Sequence, residues 1–468
     1  MKKLIALLLA LVMVVGLVAC GEKAPEAAPE AAPEAAPEAA PEAAPEAAPE
    51  AAPEEHEPVV LEMITHSNAP TDAALEEINK LFNEKYPWIT VNVTCVEAGQ
   101  YGELRDTRLV AEDVEILELS CFQQKHPDYT IGKNPGTTQT LIEQGYIMDL
   151  TGQEFINNWS ESAINDAMSF DGKVYSLNWG RTAYNGFFYS KAIFDQYGLS
   201  EPKTWDEFMT ICETLKSNGI APITSGAMDV WPTQMLWDSF PNAFEADADA
   251  FLEGLWTGER TFDDAETLAM FEKMATLAGY FEENVINVDY NTVISRFVAG
   301  KAAMMNDGTW SAASIDAADP TFEYGYFALP GATAPADGGD VQLAGKYDTG
   351  YAGAAKSKNP EETLLWLEFF SQPEIYAMFA NAAGMIPNMD VEVSNEFINS
   401  IASKIVNFDT GFQNMYRAPT GVGKYAGFKV AELSVFGGSI SDVKELATLA
   451  QQDWDTAMDA VKAELGIS

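Results

Sequence analysis

Val59-Val60-Leu61-Glu62-Met63-Ile64 opens the stretch whose pattern decides the fold class, and Trp88-Ile89-Thr90-Val91-Asn92-Val93 closes it. The first is an apolar run of strand length, and the second alternates apolar with polar residues as a half-buried strand does. Between them Leu75, Ile78 and Phe82 recur at three- and four-residue spacing, the apolar face of a helix that Thr71 is placed to cap. Tyr86-Pro87 stops that helix, because a proline ring disfavours helical geometry in the residue before it. Strand, crossover helix and strand predict a parallel pair and an α/β fold.

Later segments continue the alternation. Thr204-Trp205-Asp206-Glu207 reads as a capping box opening a helix with Trp205, Phe208, Cys212 and Leu215 on one face. Asn359-Pro360-Glu361-Glu362 opens another through Leu364, Trp366, Leu367 and Phe370. Trp205 and Trp366 lie on these apolar stripes and read as core.

Upstream of Val59 the pattern is not that of a folded domain. Lys2 and Lys3 precede an apolar run, Leu4 to Val18, too short to span a bilayer stably. Residues 1–19 therefore read as a signal peptide. Residues 20–58 read as a linker in which Pro25, Pro29, Pro33, Pro37, Pro41, Pro45, Pro49 and Pro53 recur every fourth position. Proline at that density forbids a continuous helix and favours an extended chain of about 3.1 Å per residue, a reach on the order of 100 Å.

The chain has 468 residues, too many for one ordinary core, and 47% are hydrophobic, which excludes a wholly disordered protein. Its net charge of −44 argues against nucleic acid and against an anionic membrane surface as partner. Beyond Cys20, three cysteines (Cys95, Cys121, Cys212) form neither a disulfide framework nor a CxxC pair, and read as reduced or buried.

Catalytic signatures are few. His56 lies in the linker, leaving His66 and His126 for acid–base or metal work, and there is no HExxH, GxSxG, GxxxxGK or EF-hand pattern. Gly421-Val422-Gly423-Lys424-Tyr425-Ala426 formally fits GxGxxA but follows no apolar strand, and reads as loop. No metal, cofactor or enzymatic activity is expected. What stands out is tryptophan beside small polar residues: Asn178-Trp179-Gly180-Arg181, Asp229-Val230-Trp231-Pro232, and Asn306-Asp307-Gly308-Thr309-Trp310. Flat aromatics suit the apolar C–H faces of sugar rings, and the polar neighbours suit their hydroxyl edges.

Five motifs then fall in order. They are Phe82-Asn83-Glu84-Lys85-Tyr86-Pro87; Gly186 to Phe194; Pro202-Lys203-Thr204-Trp205-Asp206-Glu207-Phe208; Phe297 to Met305 with Gly308-Thr309-Trp310; and Gly384-Met385-Ile386-Pro387. Together they resemble the extracellular sugar-binding proteins of ABC importers, the family that includes maltose-binding protein. Leu17-Val18-Ala19-Cys20-Gly21 resembles a lipobox, which implies cleavage before Cys20 and lipid on its thiol. Glu112-Asp113-Val114 departs from the family's Pro-Asp-Val.

The resemblance implies a two-lobed periplasmic-binding-protein-like fold, α/β in class, with a ligand cleft and three hinge crossings. The crossings are expected near Leu177–Arg181, Phe327–Leu329 and Phe370–Gln372. Lobe one would be 59–177 plus 330–371, and lobe two 178–329 plus 372–468. Ligands of open α/β sheets sit beyond the carboxyl ends of strands, so the expected site is His66, Asn68, Ser120, Phe122, Gln123, Trp179, Arg181, Trp231, Asp307, Trp310, Lys346 and Tyr347. The expected partners are a mono- or oligosaccharide, the transmembrane subunits of an ABC permease, and the membrane through Cys20. The chain is expected to be a monomer on the outer face of the bacterial cytoplasmic membrane. With Arg181 and Lys346 the cations among these residues, a neutral sugar fits better than a glycerol phosphate; a peptide ligand is another reading. A lipid-anchored glycoside hydrolase and an adhesive surface protein are the alternatives from other classes.

Overall fold

A computed structural model describes residues 56–467 apart from 122–126, 134, 185, 337–340, 342, 344, 403 and 406–417. The signal, the proline repeat, Cys20, Phe122, Gln123 and His126 lie outside the described residues.

The strands are β1 (Val59–His66), β2 (Ile89–Val96), β3 (Ile116–Leu119), β4 (Ser169–Phe170), β5 (Lys173–Val174), β6 (Leu177–Asn178), β7 (Arg181–Ala183), β8 (Gly186–Ser190), β9 (Ala221–Thr224), β10 (Ala302–Asn306), β11 (Tyr324–Ala328), β12 (Gly345–Tyr347) and β13 (Gly350–Gly353). The first sheet has the order β2-β1-β3-β13-β6, and the second the order β11-β8-β10-β9. β1 and β2 run parallel from Val59 opposite Ile89 to His66 opposite Val96, as the opening stretch predicts. β13 pairs antiparallel with β3 and β6, so a late strand enters the middle of the first sheet.

The helix between β1 and β2 spans Ala69–Lys85 and buries Leu75, Ile78 and Phe82. Its cap is Asn68, not Thr71, because Pro70 occupies the first turn, where its missing N–H leaves no bond unmade. Thr71 sits inside that turn and donates its hydroxyl to the Asn68 carbonyl at 2.9 Å. The helix Trp205–Ser217 starts at Thr204, whose hydroxyl accepts from the Glu207 N–H. Glu207 reaches back one residue further than a capping box requires, to the Lys203 N–H at 2.6 Å. Cys121 and Cys212 are buried, Cys95 is exposed, and none of the three is joined in a disulfide.

Side chains on the second sheet alternate between two cores, as the period of two requires. Phe188, Met305, Tyr326 and Ala328 face a core shared with the first sheet's Leu61, Met63, Ile116 and Tyr351. Phe187, Met304, Phe327 and Leu329 face the other core, which the helix Val443–Leu465 covers with Leu446, Ala450, Trp454 and Met458.

The chain passes from the first sheet to the second between Asn178 and Gly186, and back between Ala328 and Gly350. On these passages β7 and β12 pair with each other, Tyr347 opposite Arg181. Gly180 has φ +146° there, and a Cβ would lie 2.7 Å from the Ile386 carbonyl oxygen, so only glycine fits. After Phe370–Gln372, where a third passage is expected, the chain enters a helix. The helix Pro373–Ala383 still packs its Phe379 on Trp179, Tyr351 and Phe370, on the first sheet's side. Further along, Phe397 meets Phe188 and Tyr324 of the second sheet.

Candidate functional site

Two groups of side chains come together around the β7–β12 ribbon. The first stands at the carboxyl end of β1. His66 Nδ1 lies 2.8 Å from Glu118 Oε2. Glu118 Oε1 accepts the His66 backbone N–H at 2.8 Å and the Thr65 hydroxyl. Burial alone would lower the His66 pKa, but the charge and hydrogen bond of Glu118, with Asp348 and Asp72 beyond, outweigh it and raise it to about 9. His66 is therefore an imidazolium at neutral pH. Glu118 follows two buried aliphatics in Ile116-Leu117-Glu118-Leu119, and a carboxylate in an otherwise apolar strand was the available signal.

The second group follows β10. The Asp307 carboxylate accepts the Gly308 N–H at 2.8 Å and the Ser311 hydroxyl at 2.6 Å. Burial raises the Asp307 pKa to about 6, against the pull of those bonds. This clamp sets the turn in which Trp310 is half-buried, donating Nε1–H to the Tyr290 hydroxyl at 2.8 Å. A Cβ on Gly308 would overlap the Trp310 ring, so the ring can lie over that backbone only because residue 308 is glycine. Trp231 lies with its ring 4.6 Å from Tyr290 and 6.3 Å from Trp310. Val230, just before it, has φ +64°, a conformation costly for a β-branched residue and of the kind found at functional sites.

The ribbon joins the two groups. Lys346 Nζ sits 5.2 Å from the Trp310 ring centroid and 3.6 Å from Asp348 Oδ2. Arg181 is half-buried, its Nη2 3.4 Å from the Pro387 carbonyl, and burial lowers its pKa. Across the same space Asn291 Nδ2 reaches Glu97 Oε2 at 3.4 Å.

The remaining expected residues divide. Asn68 and Ser120 are half-buried at the ends of their strands; the Ser120 carbonyl accepts from Thr138 Oγ1 at 3.1 Å. Trp179, 2% exposed, packs against Tyr351 and Phe379. Tyr347, 5% exposed, packs in the core shared by the two sheets. Asp307, fully buried, clamps the turn through Gly308 and Ser311. Tyr290, Glu118 and Asp348 were not anticipated; Tyr290 carries no sequence signal that separates it from a core tyrosine.

Among the described residues no group of three or more His, Cys, Asp or Glu is arranged to hold a metal ion. Nor is any helix long and apolar enough to cross a membrane. A cavity of about 620 Å³ lies beside Tyr324 and Phe397, and one of about 460 Å³ beside Asn79 and Cys95, with Asp72 in its lining.

Known proteins share this plan. The multiple sugar-binding protein of Streptococcus mutans is 26% identical over 305 residues, 64% of this chain and 68% of that protein. A solved chitin oligosaccharide binding protein superposes with a TM-score of 0.66 at 22% identity, covering 86% of this chain and 99% of its own. The solute-binding protein RafE in complex with raffinose gives a TM-score of 0.65 at 20% identity, with the same coverages of 86% and 99%. At these identities the two structures speak for the fold alone. The family model for bacterial extracellular solute-binding proteins matches residues 67–377, a span that takes in strands of both sheets and the ribbon between them. With more than half of its length inside that match, the chain belongs to the bacterial extracellular solute-binding protein family.

Proposed function

We propose that this chain captures a neutral sugar or oligosaccharide between its two sheets and delivers it to the transmembrane subunits of an ABC permease. The observation that carries the reading is the aromatic group Trp231, Tyr290 and Trp310 beside the charged edge formed by Lys346, Asp348 and His66. Rings of this kind cover the C–H faces of a sugar, while the charged groups take its hydroxyls. The ligands named for the similar proteins, raffinose and chitin oligosaccharide among them, support the same class. One lobe is built on each sheet, and closure over the ligand makes the two-lobed surface that the permease reads. Cys20 carries the lipid, and the proline repeat gives the folded part reach from the membrane.

Calorimetric titration against raffinose, chitin oligosaccharides and simple monosaccharides tests this, with release of reducing ends followed in parallel. Saturable binding without hydrolysis is expected. Released reducing ends would turn the reading to a glycoside hydrolase, and binding of peptides alone would move it to another solute.

A further inference from the structure

Thr65 and His66 end β1 next to Glu118 of β3, and Glu118 is only 3% exposed. Both of its oxygens are engaged by those two residues, one on the imidazole Nδ1 and the other on the His66 backbone N–H and the Thr65 hydroxyl. Its own backbone is held from the far side: the Glu118 N–H donates to the Tyr101 hydroxyl at 2.6 Å, and that hydroxyl donates to the Glu118 carbonyl at 3.1 Å. A buried carboxylate fixed at this many points fixes the ring it faces. Nδ1–H is turned inward, and the His66 side chain, 31% exposed, keeps its other edge open.

We propose that Glu118 is a positioning residue of the ligand site, holding His66 as a cation whose Nε2–H is offered to an acceptor oxygen of the bound solute. This rests on the capture reading above. Other charged groups face the ring too. Asp348 comes from the loop after β12 and is offset by Lys346 at 3.6 Å. Asp72 comes from the helix Ala69–Lys85 and is held by the Ser67 hydroxyl at 2.8 Å and the Asn68 N–H at 3.3 Å. Of these only Glu118 hydrogen-bonds the ring. A neutral imidazole can accept as well as donate, whereas an imidazolium only donates. The pair therefore selects solutes that place an oxygen acceptor at the end of β1, and rejects those that place only a donor there.

The test has a ligand-free arm and a ligand arm on the full chain. With ¹⁵N-labelled histidine, the His66 ring is titrated by NMR in the wild type and in Glu118→Gln, with His66→Gln identifying the signal. A midpoint near 9 is expected in the wild type, falling toward or below the ordinary value of about 6.5 in Glu118→Gln. In the second arm raffinose affinity is measured at pH 6 and pH 8. The wild type should hold its affinity, Glu118→Gln should weaken by about tenfold between the two, and His66→Gln should show no such dependence. An ordinary wild-type midpoint, or Glu118→Gln with an unshifted midpoint and the wild-type affinity profile, overturns the assignment. If the wild type binds no sugar, the capture reading fails, and the titration, which needs no ligand, still decides whether Glu118 holds the cation.

Discussion

Replacing Trp310 by alanine separates a ligand platform from a core residue, and the structure sets the expected sizes. The free protein would lose the Nε1–H bond to Tyr290 at 2.8 Å, worth about 1 kcal/mol. It would also lose the contact of Lys346 Nζ with the ring at 5.2 Å, worth about 0.5–1 kcal/mol. Because Trp310 is only half-buried, the total should be about 2 kcal/mol, below the roughly 3–5 kcal/mol of a tryptophan deleted from a packed interior. Removing a stacking ring from a bound sugar should cost about 1–3 kcal/mol of binding, or on the order of tenfold in Kd. Calorimetry reads both quantities, Tm without ligand and Kd for the best sugar; fluorescence is unsuitable once a tryptophan is removed. Gly308→Ala is the companion, since a Cβ there displaces the ring while keeping the indole. A large Tm drop with unchanged Kd in Trp310→Ala would refute the platform reasoning and return Trp310 to the core.

Four further outcomes are expected. Cys20→Ala should move the protein from the membrane to the soluble fraction; retention on the membrane would end the lipid-anchor reading. Deleting residues 24–53 should leave Tm and sugar affinity unchanged, because an Ala-Ala-Pro-Glu repeat has no apolar face to pack; a marked fall in Tm would show that the repeat docks. Burial opposes the Asp264 charge, but hydrogen bonds from Arg260 and from the Thr267 and Thr261 N–H groups hold its pKa to about 2. A carboxylate depressed in this way adds stability above its unfolded value near 4 and loses it as pH falls toward 2, an effect of at most about 2.5 kcal/mol before solvent screening. Urea unfolding of Arg260→Gln should thus differ from wild type at pH 6 and converge with it near pH 2; a constant gap would assign the effect to packing. Val230→Gly should raise the free energy of unfolding in urea by about 1 kcal/mol, relief of the φ +64° strain exceeding the added chain entropy; a lowered value would show that the Val230 side chain is what holds the turn.

How much was legible in the chain itself follows from the range of the interactions involved. The β1–helix–β2 unit could be read because periods of two and 3.6 record which side of each residue is buried, and burial selects residue type. Trp205 and Trp366 were likewise readable as core, since each lies on an apolar helical stripe. A cap was harder: Asn68 and Thr71 are both competent, and the proline between them decides by fixing where the first turn begins. Trp179 shows what local pattern leaves open. Its neighbours Asn178 and Gly180 look like a loop beside a site, yet its ring lies beneath Tyr351 and Phe379, brought over it by segments that follow much later in the chain. The partner of the helix Pro373–Ala383 is undetermined for the same reason, because an apolar stripe states that something covers it but not what. Glu118 and His66 stand 52 residues apart, and only the register of β1 against β3 makes them one charged unit. Burial leaves its mark on every residue separately, whereas the match between distant partners exists only once the chain has closed, and on that closure depended which tryptophans, carboxylates and cations would come to lie together.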